Sequence, residues 1–302
     1  MNWIMRFVVT GGAGFIGNNI VRNLLEKGYS VDIVDNMHTG KMKNISGIKK
    51  DINLHKIDIR NYDELEKILR NSDGVFHEAA LTVVQESYEK TKEYFDVNVN
   101  GTKNIFKIAK KHNLKVVFAS SSSVYGNTTN VPIKENFPRN PINPYGETKL
   151  QDELLAEKYS KFIDVIGLRY FNVYGKGQTK TYAGVITKFI NKLNKKQPPK
   201  IFGDGSQKRD FIFVEDIAEA NVRVMLSKLK TGFFNVGTGK TISINHLAKT
   251  MISIYGLKMT PIFLKPLEGD VKDSQADVNI LKNKINWESK IKLRKGLNSL
   301  IK

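Results

Sequence analysis

Short runs of β-branched and other apolar residues alternate with longer segments of helical periodicity through the first 170 residues. The apolar runs predict six strands, at residues 7–9, 30–35, 54–58, 74–77, 115–120 and 164–170. The segments between them predict helices at residues 15–27, 62–69, 87–111 and 145–159. Strands and helices in this alternation form a parallel sheet with helices on both faces. We therefore expect an α/β fold with a doubly wound, Rossmann-type parallel sheet.

The pattern changes after residue 170, where predicted strands become sparse and turns containing glycine or proline become frequent. We predict two domains, a Rossmann domain over residues 1–170 and a smaller α/β domain over residues 171–302. No flexible linker separates the two halves, which predicts close packing with a cleft between them.

The composition narrows the classes of protein that fit. The chain is 40% hydrophobic, which argues against general disorder. It has no apolar stretch of the roughly 18 residues that span a bilayer, and its first residues resemble a strand and not a signal peptide, so we expect a cytoplasmic protein. It has no cysteine, and its five histidines show no metal-binding spacing, so no metal site is expected. The net charge of +18 comes from scattered lysines, which predicts a solvated surface and no nucleic-acid partner.

A glycine-rich turn joins the first predicted strand to the first helix. In the segment Thr10–Gly17, Gly11 permits the tight turn, Gly14 lets the backbone approach a pyrophosphate, and Gly17 lets the helix pack close to the sheet. The helix N-terminus presents N–H groups and a partial positive charge to the phosphates. The position between a strand and a helix makes this segment a specific prediction of a dinucleotide site.

The second strand ends in Asp35, at the spacing where a carboxylate binds the adenosine ribose hydroxyls. A carboxylate there repels a 2′-phosphate and favours NAD over NADP, although Lys41 and Lys43 leave NADP as an alternative. Asp58 and Ile59, at the end of the third strand, are expected beside the adenine. The alternative for Asp58 is a turn or capping residue.

Tyr145 and Lys149 lie four residues apart, and therefore on one face of a predicted helix. A neighbouring ammonium favours the phenolate form of tyrosine, which makes Tyr145 a usable base. The helix follows four serines, 120–123, at the carboxyl end of a central strand, which is the edge where ligands bind in open α/β sheets. Hydroxyls there can hydrogen-bond a substrate alkoxide, although two or three of these serines can serve only to start a loop.

Together these motifs resemble the extended short-chain dehydrogenase/reductase family, and the resemblance covers nearly the whole chain. Five further segments occur in family order: His77–Ala80, Asn98–Thr102, Leu168–Gly175, Arg209–Asp216 and Asn235–Gly237. Within the family the chain is most similar to the UDP-glucose 4-epimerases and their UDP-N-acetylglucosamine-acting relatives. The resemblance implies that the second domain binds a nucleotide sugar and that the chain forms a homodimer.

The resemblance also implies roles for individual residues. Tyr145 is the expected base, Lys149 tunes it, and Ser121 hydrogen-bonds the sugar 4-oxygen. The expected cofactor-binding residues are Gly11, Gly14, Phe15, Ile16, Gly17, Asp35, Asn36, Asp58, Ile59, Ala79, Ala80, Asn98, Tyr145, Lys149 and Tyr170. The expected substrate-binding residues are Ser121, Ser122, Tyr145, Asn172, Phe202, Arg209, Asp270 and Ser274. Among the latter, Asn172 and Arg209 are expected at the pyrophosphate and Phe202 at the uracil.

The implied reaction is NAD-dependent epimerisation at C4 of a UDP-hexose through a 4-keto intermediate, as in galactose metabolism. Family members that dehydrate or decarboxylate their sugars usually carry an acid just after the catalytic Ser or Thr. This chain has Ser122 and Ser123 there, which favours epimerisation. A dehydratase, decarboxylase or dehydrogenase acting on a nucleotide sugar is the alternative. A non-catalytic NAD-sensing module is disfavoured because Tyr145 and Lys149 are both present.

Two positions bear on the substrate. Ser274 aligns with a gate beside the sugar, where a small residue admits an N-acetyl group, so the pocket is expected to accept UDP-GlcNAc and UDP-GalNAc as well as UDP-glucose and UDP-galactose. Leu267 stands where the family often has an arginine that touches the diphosphate. This departure puts the identity of the nucleotide in doubt, although Lys265 or Lys272 can substitute for the arginine.

Overall fold

The computed structural model describes residues 4–128, 130–178, 184–266 and 271–301. The described strands are β1 (Arg6–Thr10), β2 (Ser30–Val34), β3 (Ile52–His55), β4 (Gly74–His77), β5 (Lys115–Ser121), β6 (Val165–Tyr170), β7 (Asn172–Tyr174), β8 (Lys200–Phe202), β9 (Lys208–Arg209), β10 (Phe211–Phe213), β11 (Thr231–Val236), β12 (Ile242–Ser243), β13 (Ile262–Leu264) and β14 (Asp273–Ser274).

The described α-helices are α1 (Phe15–Glu26), α2 (Met42–Ile45), α3 (Tyr62–Leu69), α4 (Val84–Glu89), α5 (Thr91–Tyr94), α6 (Gly101–His112), α7 (Pro144–Tyr159), α8 (Val185–Leu193), α9 (Val214–Leu226), α10 (Ile244–Ile254), α11 (Asn279–Ile285) and α12 (Leu293–Ile301). A π-helical turn over Phe95–Asn100 joins α5 to α6, so the helix predicted over residues 87–111 is interrupted in two places. None of the helices in the described ranges is long and apolar enough to cross a membrane.

Seven parallel strands form the main sheet, in the order β3-β2-β1-β4-β5-β6-β11. The predicted doubly wound α/β fold is therefore confirmed. The sequence pattern did not predict β11, which pairs with β6 after a long excursion of the chain. The division at residue 170 stays a prediction, because α9 packs on the sheet and β11 extends it after the chain has crossed that boundary.

Successive side chains of each strand point to opposite faces of the main sheet and form two apolar cores, one on each face. Phe7 and Val9 of β1 pack with α1 and α9 on one face, whereas Val8 packs with α3, α6 and α7 on the other. All three side chains are fully buried. Because both faces are covered, the central strands are apolar on both sides, as is typical of parallel sheets. This packing holds α1 and α7, which carry the predicted motifs, against the same rigid sheet.

The remaining described strands form three small sheets: β7 with β10, β8 with β13, and β9 between β12 and β14. They surround a separate apolar cluster that includes Phe189 of α8, Leu247 of α10 and Leu297 of α12. These short sheets carry four of the candidate substrate residues: Asn172, Phe202, Arg209 and Ser274.

A buried ion pair ties α7 to the main sheet. Arg169 of β6 donates two parallel hydrogen bonds to Glu153 of α7, each of 2.7 Å. The same guanidinium donates to the Tyr125 hydroxyl at 2.7 Å and to the Glu135 carbonyl at 2.9 Å. Arg169 is 2% exposed and Glu153 is 0% exposed, so the Arg169 charge depends on Glu153, and Glu153 depends mainly on Arg169, with a single further contact from the partly exposed Arg139 at 3.1 Å. The pair fixes α7 relative to the ends of β5 and β6.

We predict that Arg169→Met destabilises the protein by about 3–5 kcal/mol, because it leaves the Glu153 carboxylate buried without its main counter-charge. Urea denaturation gives the free energy of unfolding. The matched control is Arg223→Met, which removes a partly exposed pair with Glu219 and is expected to cost less than about 1 kcal/mol. Equal effects of the two substitutions would contradict the structural importance of the buried pair.

Candidate active site

The carboxyl ends of four neighbouring strands form one edge of the main sheet. Thr10 of β1 lies in register with His77 of β4, and Ser121 of β5 lies in register with Tyr170 of β6. A cavity of about 410 Å³ opens along this edge. It is lined by the glycine turn, the segment after β4, the end of β5, the start of α7 and the end of β6. This is where ligands bind in open α/β sheets.

The structure brings most of the predicted cofactor residues and the predicted catalytic residues to this one cavity. Those that line it are Gly11, Gly14, Phe15, Ile16, Gly17, Asp35, Asn36, Ile59, Ala79, Ala80, Ser121, Tyr145, Lys149 and Tyr170. They come from sequence positions up to 159 residues apart, and the parallel sheet places them together.

The glycine turn has no room for side chains at two of its positions. Gly11 has φ +67°, and a Cβ there would lie 2.8 Å from the backbone nitrogen of Ala79. A Cβ on Gly17 would collide with the carbonyl oxygen of Gly11 and with Gly12. The turn therefore leaves its backbone bare at the start of α1, which fits the close approach of a dinucleotide pyrophosphate.

Asp35 lies at the end of β2 and is 7% exposed. Its carboxylate accepts hydrogen bonds from the backbone N–H of Ala13 at 3.0 Å and of Met37 at 2.8 Å. Burial raises the pKa of Asp35, and these two N–H groups oppose the shift. A carboxylate has about four lone-pair sites, so acceptor capacity remains for ribose hydroxyls. Asp35 thus also orients the glycine turn, a role that the sequence did not suggest.

Two predicted cofactor residues do not line the cavity. Asp58 accepts hydrogen bonds from Asn36 and from Arg60, and the Arg60 guanidinium holds the pKa of this carboxyl well below its usual range. Asn98 is fully buried and binds both backbone groups of Leu81, at 2.8 and 3.0 Å. Asp58 is therefore bound to Asn36 and Arg60, which line the cavity in its place. Asn98 holds the segment after β4 through its hydrogen bonds to Leu81, which also lines the cavity.

Helix α7 begins so that Tyr145 and Lys149 face the cavity. Asn143 caps the helix by accepting the Gly146 N–H at 2.8 Å, and Pro144 occupies its first position. Lys149 is 4% exposed, and its Nζ lies 3.2 Å from Asp152. Burial lowers the pKa of Lys149, but Asp152 and Tyr145 more than offset burial and raise it. Lys149 therefore stays a cation beside Tyr145.

The four serines after β5 have different environments. Ser121 lines the cavity, and its Oγ accepts the Ser123 N–H at 3.1 Å. Ser120 also lines the cavity, but its hydroxyl donates to Glu153 at 2.6 Å and so belongs to the buried Arg169 network. Ser122 and Ser123 start a 3₁₀ turn and do not line the cavity. Ser121 is thus the serine placed to meet a ligand hydroxyl.

The described substrate residues predicted in the second half, Asn172, Phe202, Arg209 and Ser274, lie on the small sheets and do not line this cavity. Asn172 donates to the Asp210 carbonyl from its backbone N–H at 3.0 Å and from its side chain at 3.3 Å. The neighbouring Arg209 is in register with Ser274, which is 8% exposed. Phe202 lies on β8. The structure therefore brings Asn172, Arg209 and Ser274 together, whereas Asp270 and Leu267 lie outside the described residues.

Sequence reasoning assigned no role to Glu78, although it lines the cavity between His77 and Ala79. The sequence signal that could have identified Glu78 is its position as a charged residue directly after a buried apolar strand. The His77 side chain points toward α6, where its two ring nitrogens hydrogen-bond the hydroxyls of Thr10 at 2.7 Å and Thr102 at 2.9 Å. Burial lowers the pKa of His77 to about 3, with a further contribution from Lys149, so this imidazole is neutral.

The sequence profile of the NAD dependent epimerase/dehydratase family matches residues 7–237. The chain belongs to this family. It is therefore an enzyme of an NAD-dependent family. The cavity fits the cofactor NAD through the glycine turn, Asp35, Tyr145 and Lys149.

Similarity to other proteins supports this family assignment over nearly the full chain. A Methanocaldococcus jannaschii protein provisionally named a UDP-glucose 4-epimerase is 41% identical over 97% of this chain and 96% of its own. A UDP-N-acetyl-α-D-glucosaminuronate decarboxylase of Bacillus cytotoxicus is 31% identical over 98% of this chain and 96% of its own. The family members that resemble this chain therefore differ in the reaction they are named for.

Two solved structures share the whole fold. The UDP-N-acetylglucosamine 4-epimerase of Methanobrevibacter ruminantium, in complex with UDP-N-acetylmuramic acid, has a TM-score of 0.94 and 37% identity, over 99% of this chain and 97% of its own. The UDP-glucose 4-epimerase of Thermus thermophilus, in complex with NAD, has a TM-score of 0.88 and 30% identity, over 97% of each chain.

We predict that Gly17→Ala weakens NAD binding and lowers the free energy of unfolding by about 1–3 kcal/mol, because the new methyl group pushes α1 away from the glycine turn. NAD content after purification and urea denaturation measure the two effects. Gly47→Ala is the control, since a Cβ at Gly47 meets nothing within 4 Å. Full NAD content in Gly17→Ala would show that the turn does not require this close contact.

Proposed function

We propose that the protein is a 4-epimerase of UDP-hexoses. The observation that carries this proposal is the composition of the cavity, where Tyr145, Lys149 and Ser121 meet the glycine turn while Ser122 and Ser123 carry no carboxylate. The similar proteins named as 4-epimerases of UDP sugars support UDP as the nucleotide. The homodimer expected from the family resemblance stays a prediction.

The residues of this chain have complementary roles in the proposed reaction. The Tyr145 phenolate takes the proton from the sugar 4-hydroxyl, and cationic Lys149 stabilises that phenolate. The Ser121 hydroxyl hydrogen-bonds the 4-oxygen while it changes between alcohol and ketone. NAD, when bound, would accept the hydride from C4 and give it back to the opposite face of the 4-keto sugar once that sugar has turned over in the site. Tyr145 returns the proton to the 4-oxygen, which completes the C4 epimer.

Two of the alternatives within the family, dehydration and decarboxylation, need a carboxylate that this chain lacks at positions 122 and 123. Loss of the 6-hydroxyl or removal of the C5 proton requires a general acid or base beside the catalytic serine. Hydroxyl groups at Ser122 and Ser123 do not perform that chemistry near neutral pH. The decarboxylase among the similar proteins keeps this alternative worth testing.

We predict that the purified protein converts UDP-galactose to its C4 epimer without added cofactor and without a change in mass. Chromatography with mass detection resolves substrate and product. Tyr145→Phe removes the base and is expected to lower kcat by roughly 10²–10⁴-fold. Tyr88→Phe, which alters a tyrosine that is 60% exposed on α4, serves as the control. A product of lower mass would instead identify a dehydratase or a decarboxylase.

We predict that Ser274→Tyr blocks turnover of UDP-GlcNAc while turnover of UDP-galactose continues. Ser274 is small and buried, so a phenol at this position fills the space that an N-acetyl group needs. Parallel assays of the two substrates give the ratio of their kcat/KM values. Ser253→Tyr, at an exposed position on α10, is the matched control. Unchanged discrimination in Ser274→Tyr would remove Ser274 from the sugar pocket.

A further inference from the structure

Glu78 lies on the wall of the cavity, and the two oxygens of its carboxyl group have different environments. Its Oε1 accepts a hydrogen bond from the Tyr170 hydroxyl at 2.9 Å. Its Oε2 is buried and has no hydrogen-bond partner among the described residues. A buried carboxyl oxygen without a partner is costly when it is ionised, so a cation held in this cavity by a ligand would stabilise the ionised form of Glu78.

A short chain of hydrogen bonds orients this carboxyl group. The Asn221 side chain on α9 donates to the Tyr170 oxygen at 2.8 Å and to the Ile217 carbonyl at 2.9 Å. The Tyr170 hydroxyl has a single proton and two acceptors within reach, Glu78 Oε1 at 2.9 Å and Asn221 Oδ1 at 3.1 Å, and Glu78 is the nearer. Asn221 and Tyr170 are therefore positioning residues for Glu78.

Few charges act on Glu78 from the surrounding elements. Lys149 of α7 is the cation that influences it, but the Lys149 ammonium pairs with Asp152 at 3.2 Å. The phenols of Tyr170 on β6 and Tyr145 on α7 are the other titratable groups on this wall. Burial raises the pKa of Glu78 to about 8, while Tyr170 and Lys149 oppose the shift. Its charge therefore changes easily when a new cation enters the cavity.

The proposed reaction places the nicotinamide near this carboxyl group. The sugar C4 carbon has to contact the cofactor's hydride-accepting carbon while its hydroxyl contacts Tyr145. Tyr145, Tyr170 and Glu78 line the same cavity, and Tyr170 hydrogen-bonds Glu78 and interacts electrostatically with Tyr145, so the ring of bound NAD would lie close to all three. This step rests on the role proposed for Tyr145.

We propose that Glu78 is a further cofactor-contacting residue, whose carboxylate faces the positively charged nicotinamide ring of NAD⁺ and favours the oxidised cofactor over NADH. NADH has a neutral ring and gains nothing from the carboxylate. An epimerase returns its hydride to the sugar in every turnover, so it must release its product with the cofactor oxidised. The negative charge that Glu78 carries once NAD⁺ is bound favours that state between turnovers.

The proposal implies that binding of NAD⁺ releases a proton from Glu78 to solvent, whereas binding of NADH does not. Below the pKa of Glu78 in the NAD⁺ complex the carboxyl group is neutral in both complexes, and no preference is expected. The preference grows as pH rises from the lowered pKa of Glu78 in the NAD⁺ complex toward its pKa in the NADH complex, expected close to the value of about 8 in the free protein, and is constant at higher pH.

The experiment equilibrates the holoenzyme with defined mixtures of NAD⁺ and NADH and measures the ratio of the two cofactors that remain bound after gel filtration. For the natural protein we expect the preference for NAD⁺ to rise roughly tenfold between about pH 6 and about pH 9. Glu78→Gln keeps the shape and loses the charge, so its ratio is expected to be independent of pH. An unchanged pH dependence in Glu78→Gln would overturn the proposal.

Two further variants keep the test decisive. Glu89→Gln removes an exposed carboxylate on α4 and is expected to leave the ratio unchanged. Tyr170→Phe removes the hydrogen bond that stabilises ionised Glu78, so the pH at which the preference appears is expected to rise. A preference that stays at the natural pH in Tyr170→Phe would contradict the proposal even if Glu78→Gln failed to fold. Because no sugar is present, failure here is distinct from failure of the epimerase assay.

Discussion

The buried pair between Arg169 and Glu153 is the constraint on which the site geometry depends. It joins β6 to α7 across the sheet edge, and Ser120 and Tyr125 bond the same two side chains. A helix that carried Tyr145 and Lys149 without this connection could shift along the sheet, since apolar packing is not directional. Directional, charge-assisted hydrogen bonds in a dry environment fix its position.

The candidate site combines polar groups that are fully paired with groups that are not. Ser120 on the cavity wall, and His77 and Asn98 beneath it, have hydrogen-bond partners within the protein. Glu78 keeps one oxygen unpartnered among the described residues. Paired polar groups give a rigid wall, whereas a group left unpaired in the free protein is available to a ligand. This difference separates residues that build the site from residues proposed to act in it.

Much of the fold and of the cofactor half of the site followed from local patterns. The predicted bounds of β4 and α3 agree with the structure, and those of α1 and α7 agree within one residue, because apolar periodicity and helix caps are local properties. The pattern could not predict β11, since its place beside β6 depends on how the chain returns after α9. Nor could it show that Asp58 is bound by Arg60, since spacing alone does not identify a side chain's partner.

The sequence by itself determined the class of sheet, the NAD-binding turn and the presence of a Tyr–Lys pair on one helix face, because each of these is encoded within a few turns or strands of the chain. Only the tertiary structure decided that the Ser120 hydroxyl is bound to Glu153, that Asp35 also orders the glycine turn, and that Glu78 shares a wall with Tyr170. These relations join residues up to 92 positions apart, and they arise where parallel strands end side by side.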